Sequence, residues 1–308
     1  MRKKFIETLI KLAEKDKSIY LLNGDLGFSF LEVFEKKFPD RYINCGVAEQ
    51  NMMGVAAGLA MEGKKVYVYS IIPFATFRCL EQVRNDISNH NLDVTIVAAG
   101  AGFAYGTHGP THFAIEDIAV LRALPNIAIL SPADPMEMEQ LVLQSYRKKG
   151  PAYIRIDKSS KAFHSAGQKI NLGAPAVVQE GKDGVLITTG SYLETALGAT
   201  KKLRDAGYRF KVISLHTLKP VNEKALLKEL QGYRVVVCAE EHKLTGGVSS
   251  IVGEILLKHD IKNIVFKSIG VDNEYSPVIG SQDFLRKHYK IDEKTIFNKL
   301  LHYFENKK

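Results

Sequence analysis

The chain has 308 residues, of which 45% are hydrophobic and 25% charged, a composition typical of an ordinary globular protein with room for two domains. No apolar stretch approaches the ~18 residues that a membrane-spanning helix needs, and no apolar run follows the N-terminus, so we expect neither a membrane span nor a signal peptide. The net charge is +8, but the lysines are scattered, which argues against nucleic-acid binding. Cys45, Cys79 and Cys238 have the spacing of neither a disulfide framework nor a zinc site, which favours a cytoplasmic location.

Buried-strand patterns alternate with amphipathic helix patterns through the first half of the chain. The predicted strands are 19–22, 42–44, 65–70, 94–99, 127–130 and 152–156. The predicted helices are 4–15, 47–62, 74–88, 115–123 and 134–147, and a glycine-rich loop covers 100–112. Alternation with short connections predicts a parallel sheet that is covered by helices on both faces.

A polar, turn-rich segment then interrupts the pattern before a second alternating unit begins. We predict a first domain at 1–160, a linker at 161–178 and a second domain at 179–308. The predicted strands of the second unit are 184–189, 210–214, 234–238 and 264–267, and its helices are 191–206, 222–230, 246–258 and 281–289. The sequence therefore predicts an α/β protein with two parallel-sheet αβα domains.

One predicted helix combines a carboxylate in its first turn, Glu49, with unusually small residues along its length. Glycine inside a helix costs about 1 kcal/mol relative to alanine, so Gly54 and Gly58 indicate that another backbone packs closely against them. The helix dipole alone favours a carboxylate at this position, which is a purely structural explanation of Glu49. Perturbed carboxylates also gather at functional sites, so both interpretations stay open on the pattern alone.

Five separated motifs occur in the order that they have in one enzyme family: 44–60, 73–78, 109–112, 124–126 and 240–242. Together they resemble the pyrimidine-binding and C-terminal domains of thiamine diphosphate enzymes of the transketolase type. The family's N-terminal, diphosphate-binding domain has no counterpart in this sequence. The chain thus resembles the C-terminal half of a transketolase, as in the second subunit of a split enzyme.

The resemblance implies that thiamine diphosphate is the cofactor and that Glu49 contacts its aminopyrimidine ring. There the carboxyl group would relay the proton whose movement activates the cofactor. The resemblance also implies an aromatic ring against the face of the pyrimidine, for which we favour Phe74 over Phe77. Aromatic residues three apart at a helix start are usually core residues, and core packing is the alternative for both.

The turn after the first strand carries a further set of candidates. The resemblance implies that Asp25 lies near the cofactor and substrate, and that Ser29 contacts a substrate phosphate. An Asx-type turn is the structural alternative for both residues. In this family a Gly-Asp-Gly motif binds Mg²⁺, but here Leu26 follows Gly24 and Asp25, so we predict no metal ligands in this chain.

The glycine-rich loop follows a strand, where ligands bind in open α/β sheets. His112 matches the Gly-Pro-Thr-His histidine of transketolases, which contacts substrate oxygens and assists proton transfer. His108 stands where many transketolases have an aspartate that contacts a donor hydroxyl, so His108 is a candidate for substrate contact and catalysis. Gly100 stands in place of a histidine that helps to grip phosphate.

Two cationic positions complete the predicted substrate site. Lys158 corresponds best to an arginine that follows the last strand of this domain, and it offers phosphate a cation without the fork geometry. Either Arg2 or Lys3 at the basic N-terminus would supply another. The motif at 240–242 resembles an acid–base or metal site, but the resemblance assigns the C-terminal domain mostly to the subunit interface.

These expectations lead to one favoured function with rivals. We expect a transferase that moves a two-carbon ketol unit from a ketose, for which we favour a ketose phosphate, to an aldose. The expected partner is an N-terminal-half subunit that supplies the Mg²⁺ ligands, and two copies of each chain would form an α2β2 heterotetramer. The alternatives are the β-subunit of a 2-oxoacid dehydrogenase E1 component, a deoxyxylulose-phosphate-synthase-like enzyme, and a non-catalytic, transketolase-like interaction subunit.

Overall fold

The computed structural model describes residues 1–157, 161–165 and 167–305, and its strands form two sheets. The strands of the first half are β1 Ile19–Asn23, β2 Tyr42–Asn44, β3 Lys65–Ile71, β4 Val94–Ala99, β5 Ala128–Leu130 and β6 Ala152–Ile156. Those of the second half are β7 Ala176–Gln179, β8 Gly184–Thr188, β9 Phe210–Ser214, β10 Thr217–Lys219, β11 Val235–Lys243 and β12 Val265–Val271.

The two sheets are parallel except at one edge each. The first has seven strands in the order β10-β5-β6-β4-β3-β1-β2, and the second has five in the order β12-β11-β8-β9-β7. Strand β10 pairs antiparallel with β5, and β7, which begins inside the predicted linker, pairs antiparallel with β9. The predicted α/β class is confirmed, while the two antiparallel edge strands are additions to it. Because β10 comes from the second half of the chain, the two halves share the first sheet.

Twelve α-helices cover the sheets in the described part of the chain. They are α1 Arg2–Lys15, α2 Glu32–Lys37, α3 Glu49–Met61, α4 Ile72–Ala75, α5 Leu80–Gln82, α6 Asp117–Arg122, α7 Pro135–Arg147, α8 Leu193–Asp205, α9 Glu223–Leu230, α10 Val248–Lys258, α11 Gln282–His288 and α12 Glu293–Glu305. The short helix α2 and the C-terminal helix α12 were not predicted. No helix among the described residues is long and apolar enough to cross a membrane.

The prediction of a single helix at 74–88 is wrong, because the helical structure is interrupted between α4 and α5. The Thr76 hydroxyl donates to the Ile72 carbonyl at 2.7 Å, and the Cys79 thiol contacts the Phe74 carbonyl oxygen at 3.1 Å. Such side-chain bonds to the preceding turn compete with the helical pattern and bend helices. A π-helical turn, Val83–Ser88, then follows α5. The break leaves residues 76–79 outside both helices, next to the end of β3.

Helix α3 buries one face and leaves the other open. Its buried apolar residues pack against the first sheet: Met52, Met53, Ala56, Ala57 and Ala60. On the outer face, a Cβ added at Gly54 or Gly58 would meet no atom of this chain within 4 Å. The close packing that these glycines predict is therefore not made within the described chain.

A buried histidine ties the segment between the domains to helix α7. The Nδ1 atom of His164 lies 2.9 Å from Asp134 Oδ2, and its Nε2 atom lies 3.2 Å from Glu137 Oε1. Asp134 also caps α7 by accepting the Glu137 N–H at 2.8 Å. Burial alone would lower the pKa of His164, but the hydrogen bond to Asp134 and the close Glu137 carboxylate outweigh burial and raise it to about 9. The imidazolium form therefore holds this contact at neutral pH.

We predict that His164→Gln destabilises the fold in a pH-dependent way. Because the folded-state pKa is raised above the ordinary value, the stabilisation is fully present below about pH 6.5 and is lost as the pH rises through about 9. Breaking such a buried pair costs about 3 kcal/mol. Urea unfolding should show this loss at pH 6 and a much smaller loss at pH 9.5. Exposed His90→Gln is the control, and an equal loss at both pH values would contradict the assignment.

Candidate active site

Four neighbouring strands bring their carboxyl ends together at one edge of the first sheet. In the order β4-β3-β1-β2, these strands are followed by the loop at 100–112, by α4, by the turn at 24–31 and by the start of α3. Ligands bind at this edge in open α/β sheets. The predicted site residues are widely separated in sequence, and the parallel sheet is what places them side by side.

Glu49 opens helix α3 with a buried carboxylate, only 2% of the residue being exposed. Arg78 Nη1 donates to Glu49 Oε2 at 2.7 Å, whereas the buried Oε1 atom has no hydrogen-bond partner among the described residues. The backbone of Gly24 comes close on one side, since a Cβ there would lie 3.5 Å from both Glu49 Cγ and Ser70 Oγ. One carboxylate oxygen is thus paired with Arg78, and the other is a buried acceptor without a partner among the described residues.

Arg78 was missed by the sequence reasoning, although it lies within the motif at 73–78. Its guanidinium carbon lies 4.3 Å from the centroid of the Phe74 ring, in a cation–π contact, while its side chain stays 46% exposed. The i, i+4 spacing of an aromatic and a cation was the signal that could have revealed the pair. Arg78 links the carboxylate of Glu49 to the ring of Phe74.

The glycine-rich loop places two histidines beside Phe74 through a pair of 3₁₀ turns, Gly106–His108 and Pro110–His112. We call Glu49, Arg78, Phe74 and these two histidines the cluster. The ring centroids of His108 and His112 lie 5.0 Å apart, and that of His112 lies 5.1 Å from Phe74. Thr111 Oγ1 lies 3.0 Å from His112 Nδ1. Burial, then His108 and Arg78, lowers the pKa of His112, so its ring is neutral at pH 7 and can accept a proton.

Tyr105, which borders the cluster, is a second residue that the sequence reasoning missed. Its ring centroid lies 5.8 Å from His108 and 6.4 Å from His112. A Cβ added at Gly100, where φ is +101°, would lie 2.3 Å from the Tyr105 ring. Glycine is required here, because a side chain at position 100 would occupy the space of this ring.

The other predicted residues lie in different surroundings. Asp25, at φ +56°, accepts a bond from Asn44 at 3.0 Å, and the exposed Ser29 donates its N–H to Glu32 at 2.8 Å. Phe77 is half-buried and is not one of the clustered rings. Lys3 is 89% exposed and lies 3.9 Å from Glu7 on α1, outside the cluster. Lys158 lies outside the described residues.

The contact between Arg78 and Glu49 predicts an energetic coupling that a double-mutant cycle measures. Charge-assisted bonds contribute about 1.5–3 kcal/mol, and solvent screening of the half-exposed arginine reduces this to about 1–2 kcal/mol. Unfolding free energies of Arg78→Met, Glu49→Gln and the double variant should show that coupling. The pair Arg122–Glu254, whose glutamate is 63% exposed, should show a smaller coupling when changed in the same way, below about 1 kcal/mol. Additive effects of the Arg78 and Glu49 changes would contradict the pairing.

Comparison with known proteins identifies one family along most of the chain. Family models of the transketolase pyrimidine-binding domain and the transketolase C-terminal domain match residues 1–162 and 173–296. A protein of Methanocaldococcus jannaschii described as a transketolase C-terminal section is 33% identical over 305 residues, covering 98% of this chain and 95% of that protein. One of the subunits of an apulose-4-phosphate transketolase from Phocaeicola vulgatus is 33% identical over 298 residues, covering 96% of this chain and 94% of that protein.

A solved structure described as a split gene transketolase, inactive beta4 tetramer, is also similar. It superimposes with a TM-score of 0.87 at 32% identity, over 100% of this chain and 98% of that one. The similarity thus extends through both halves of the chain and through the edge of the first sheet where Glu49, Phe74 and the two histidines meet. The chain belongs to the transketolase family and contains its pyrimidine-binding and C-terminal domains.

Proposed function

We propose that the chain is one subunit of a split, thiamine-diphosphate-dependent transketolase. The enzyme would transfer a two-carbon ketol unit from a ketose, preferentially a ketose phosphate, to an aldose. The observation that carries this proposal is the buried carboxylate of Glu49. Its Oε2 atom pairs with Arg78, which lies on the Phe74 ring, and its Oε1 atom has no hydrogen-bond partner among the described residues. An interaction subunit without catalytic function would not need such a buried, partly unpaired carboxylate at this point.

The residues at this edge fit the aminopyrimidine end of the cofactor. Thiamine diphosphate supplies, when bound, a nucleophilic carbon that attacks the carbonyl group of the ketose. Glu49 Oε1 would hold a proton against a ring nitrogen, because Arg78 already satisfies Oε2 and leaves Oε1 as the free contact. Phe74 would offer its half-buried ring to the face of the pyrimidine. Asp25 follows Gly24, which borders Glu49, and would contact the cofactor from that side.

His108 and His112 would contact the hydroxyl groups of the substrate. With Nδ1 of His112 near Thr111, its Nε2 atom can accept a proton from a substrate hydroxyl and return it. His108, 5.0 Å away, would contact the neighbouring hydroxyl. A relative is named for a sugar phosphate. Ser29 and Lys158 remain our candidates for a phosphate, whereas the exposed Lys3 is the weaker one.

The proposed assembly follows from what the chain offers and what the cofactor needs. Leu26 follows Gly24 and Asp25 here, so these residues do not form the Gly-Asp-Gly motif that the family resemblance assigns to Mg²⁺ binding. We therefore propose that a diphosphate-binding subunit brings the Mg²⁺ ligands. The open glycines of α3, Gly54 and Gly58, would pack between two copies of this chain. The complete enzyme would then be an α2β2 heterotetramer.

We predict that Glu49→Gln removes most of the turnover of the reconstituted enzyme. An amide cannot hold and return a proton, and the loss of one acid–base group costs about 10²–10⁴ in rate. The assay follows ketol transfer from a ketose phosphate to an aldose. The same substitution at Glu180, which follows β7 in the second domain and has a 78% exposed side chain, is the control and should leave the rate unchanged. Near-normal turnover of Glu49→Gln would remove this residue from the mechanism.

The choice of donor separates the remaining alternatives. An E1-like or deoxyxylulose-phosphate-synthase-like enzyme would release CO₂ from a 2-oxo acid, whereas a transketolase would consume a ketose without CO₂ release. The same reconstituted enzyme is therefore tested with both donors. Consumption of the 2-oxo acid alone would replace the transketolase proposal.

We also predict that the chain by itself is inactive and holds the cofactor weakly. One aromatic stack contributes only ~0.5–1.5 kcal/mol beyond area burial, far below the ~8 kcal/mol of micromolar affinity. The inactive tetramer of a similar split transketolase agrees with this prediction. Titration calorimetry with thiamine diphosphate and Mg²⁺, with and without the partner, measures it. Micromolar binding or turnover by the chain alone would overturn the proposed division of labour.

A further inference from the structure

We propose that Glu241, on strand β11 of the second sheet, is a positioning residue for the loop that carries His108 and His112. Its Oε1 atom accepts the backbone N–H of Phe103 at 2.7 Å, across 138 positions of sequence. The same oxygen accepts a bond from Gln282 at 2.9 Å. The side chain is only 4% exposed, so water does not replace these contacts.

The other carboxylate oxygen is held equally firmly. Arg286 Nε donates to Glu241 Oε2 at 2.7 Å, and Arg286 Nη2 donates to the same atom. The backbone also comes close, since a Cβ added at Gly102, where φ is +60°, would lie 2.6 Å from Glu241 Cγ. Arg286 thus holds Glu241 within its own domain, and the Oε1 atom of Glu241 faces the loop at 100–112.

Two further contacts fasten the same loop to the second domain. The Phe103 ring stacks on Tyr289, with centroids 5.3 Å apart and an interplanar angle of 7°. The Gly280 N–H donates to the Gly106 carbonyl at 3.3 Å, and a Cβ added at Gly106 would lie 2.5 Å from the Gly280 oxygen. Gly106 begins the 3₁₀ turn that ends at His108. The loop therefore takes its position from the second domain.

Glu241 is the most important of these contacts, because its carboxylate accepts hydrogen bonds from several donors at once. A glutamine there keeps the shape but has a single acceptor oxygen. That oxygen can serve either Phe103 N–H or Arg286, and the other donor then faces an NH₂ group. A buried donor without a partner costs about 1–3 kcal/mol, so the loop is expected to shift away. The catalytic consequence rests on the proposed function, whereas the position of the loop does not.

The position of the loop is tested on the full-length chain by NMR of histidines labelled at Cε1. His108→Gln and His112→Gln assign the two signals. In Glu241→Gln we expect both signals to shift and the pKa of His112 to rise towards its ordinary value, because a displaced ring is less buried. Glu254→Gln is the matched control, since Glu254 pairs with Arg122 of the first domain at the surface and should leave both signals unchanged. Unchanged histidine signals in a folded Glu241→Gln variant overturn the inference.

A second variant covers the case in which Glu241→Gln does not fold. Tyr289→Leu loosens the same loop by removing the stacked ring, and the buried Tyr289 hydroxyl has no partner to lose among the described residues. It should shift the same two signals. If they stay in place, the inference is wrong.

Activity provides the separate catalytic test in the reconstituted holoenzyme. We expect Glu241→Gln to lower kcat at least about tenfold, because a small misplacement of groups that contact substrate has such effects, while cofactor and partner affinity stay normal. Glu254→Gln should keep normal turnover. Normal kcat in Glu241→Gln overturns the positioning role. If the wild-type enzyme shows no ketol transfer, the proposed function fails, and the histidine titration alone supports or overturns the position of the loop.

Discussion

The site depends first on the burial of one carboxylate. Removing the charge of Glu49 from water is costly unless other groups compensate for it. The start of α3 contributes the favourable end of the helix dipole, and Arg78 contributes a cation from the break between α4 and α5. The same guanidinium lies on the Phe74 ring, which in turn contacts His112. Compensation of a single buried charge thus connects three separate segments.

The second domain packs beside the first domain and also contributes a strand and side-chain contacts to it. Strand β10 extends the first sheet, and the motif at 240–242 lies inside strand β11 rather than in a loop. Glu240 accepts the N–H groups of Val248 and Ser249, at 2.6 and 2.9 Å, at the start of α10. Burial raises the pKa of Glu240 to about 7 despite these bonds. Glu241 instead points to the first domain, so adjacent carboxylates have different structural roles.

Membership of the transketolase family accounts for the architecture, and local packing accounts for the glycine at position 100. Glycine at position 100 follows from the Tyr105 ring, which occupies the space that a larger residue would need. Tyr105 also borders both histidines. The Tyr105 ring thus keeps position 100 as glycine and forms an aromatic wall beside the two histidines.

The sequence by itself determined the α/β class, most of the strands and helices and the family, because hydrophobic periodicity and motifs are local properties. It also indicated Glu49, Phe74, His108 and His112, whose motifs lie directly after strands. Only the tertiary structure decided that Arg78 pairs with Glu49, that Tyr105 fills the place beside Gly100, that β10 joins the first sheet and that Glu241 holds Phe103. Most of these contacts join residues far apart in sequence, and each depends on the direction of a side chain or the pairing of an edge strand. No local pattern encodes such geometry, because it arises only when the two sheets and their loops are packed together.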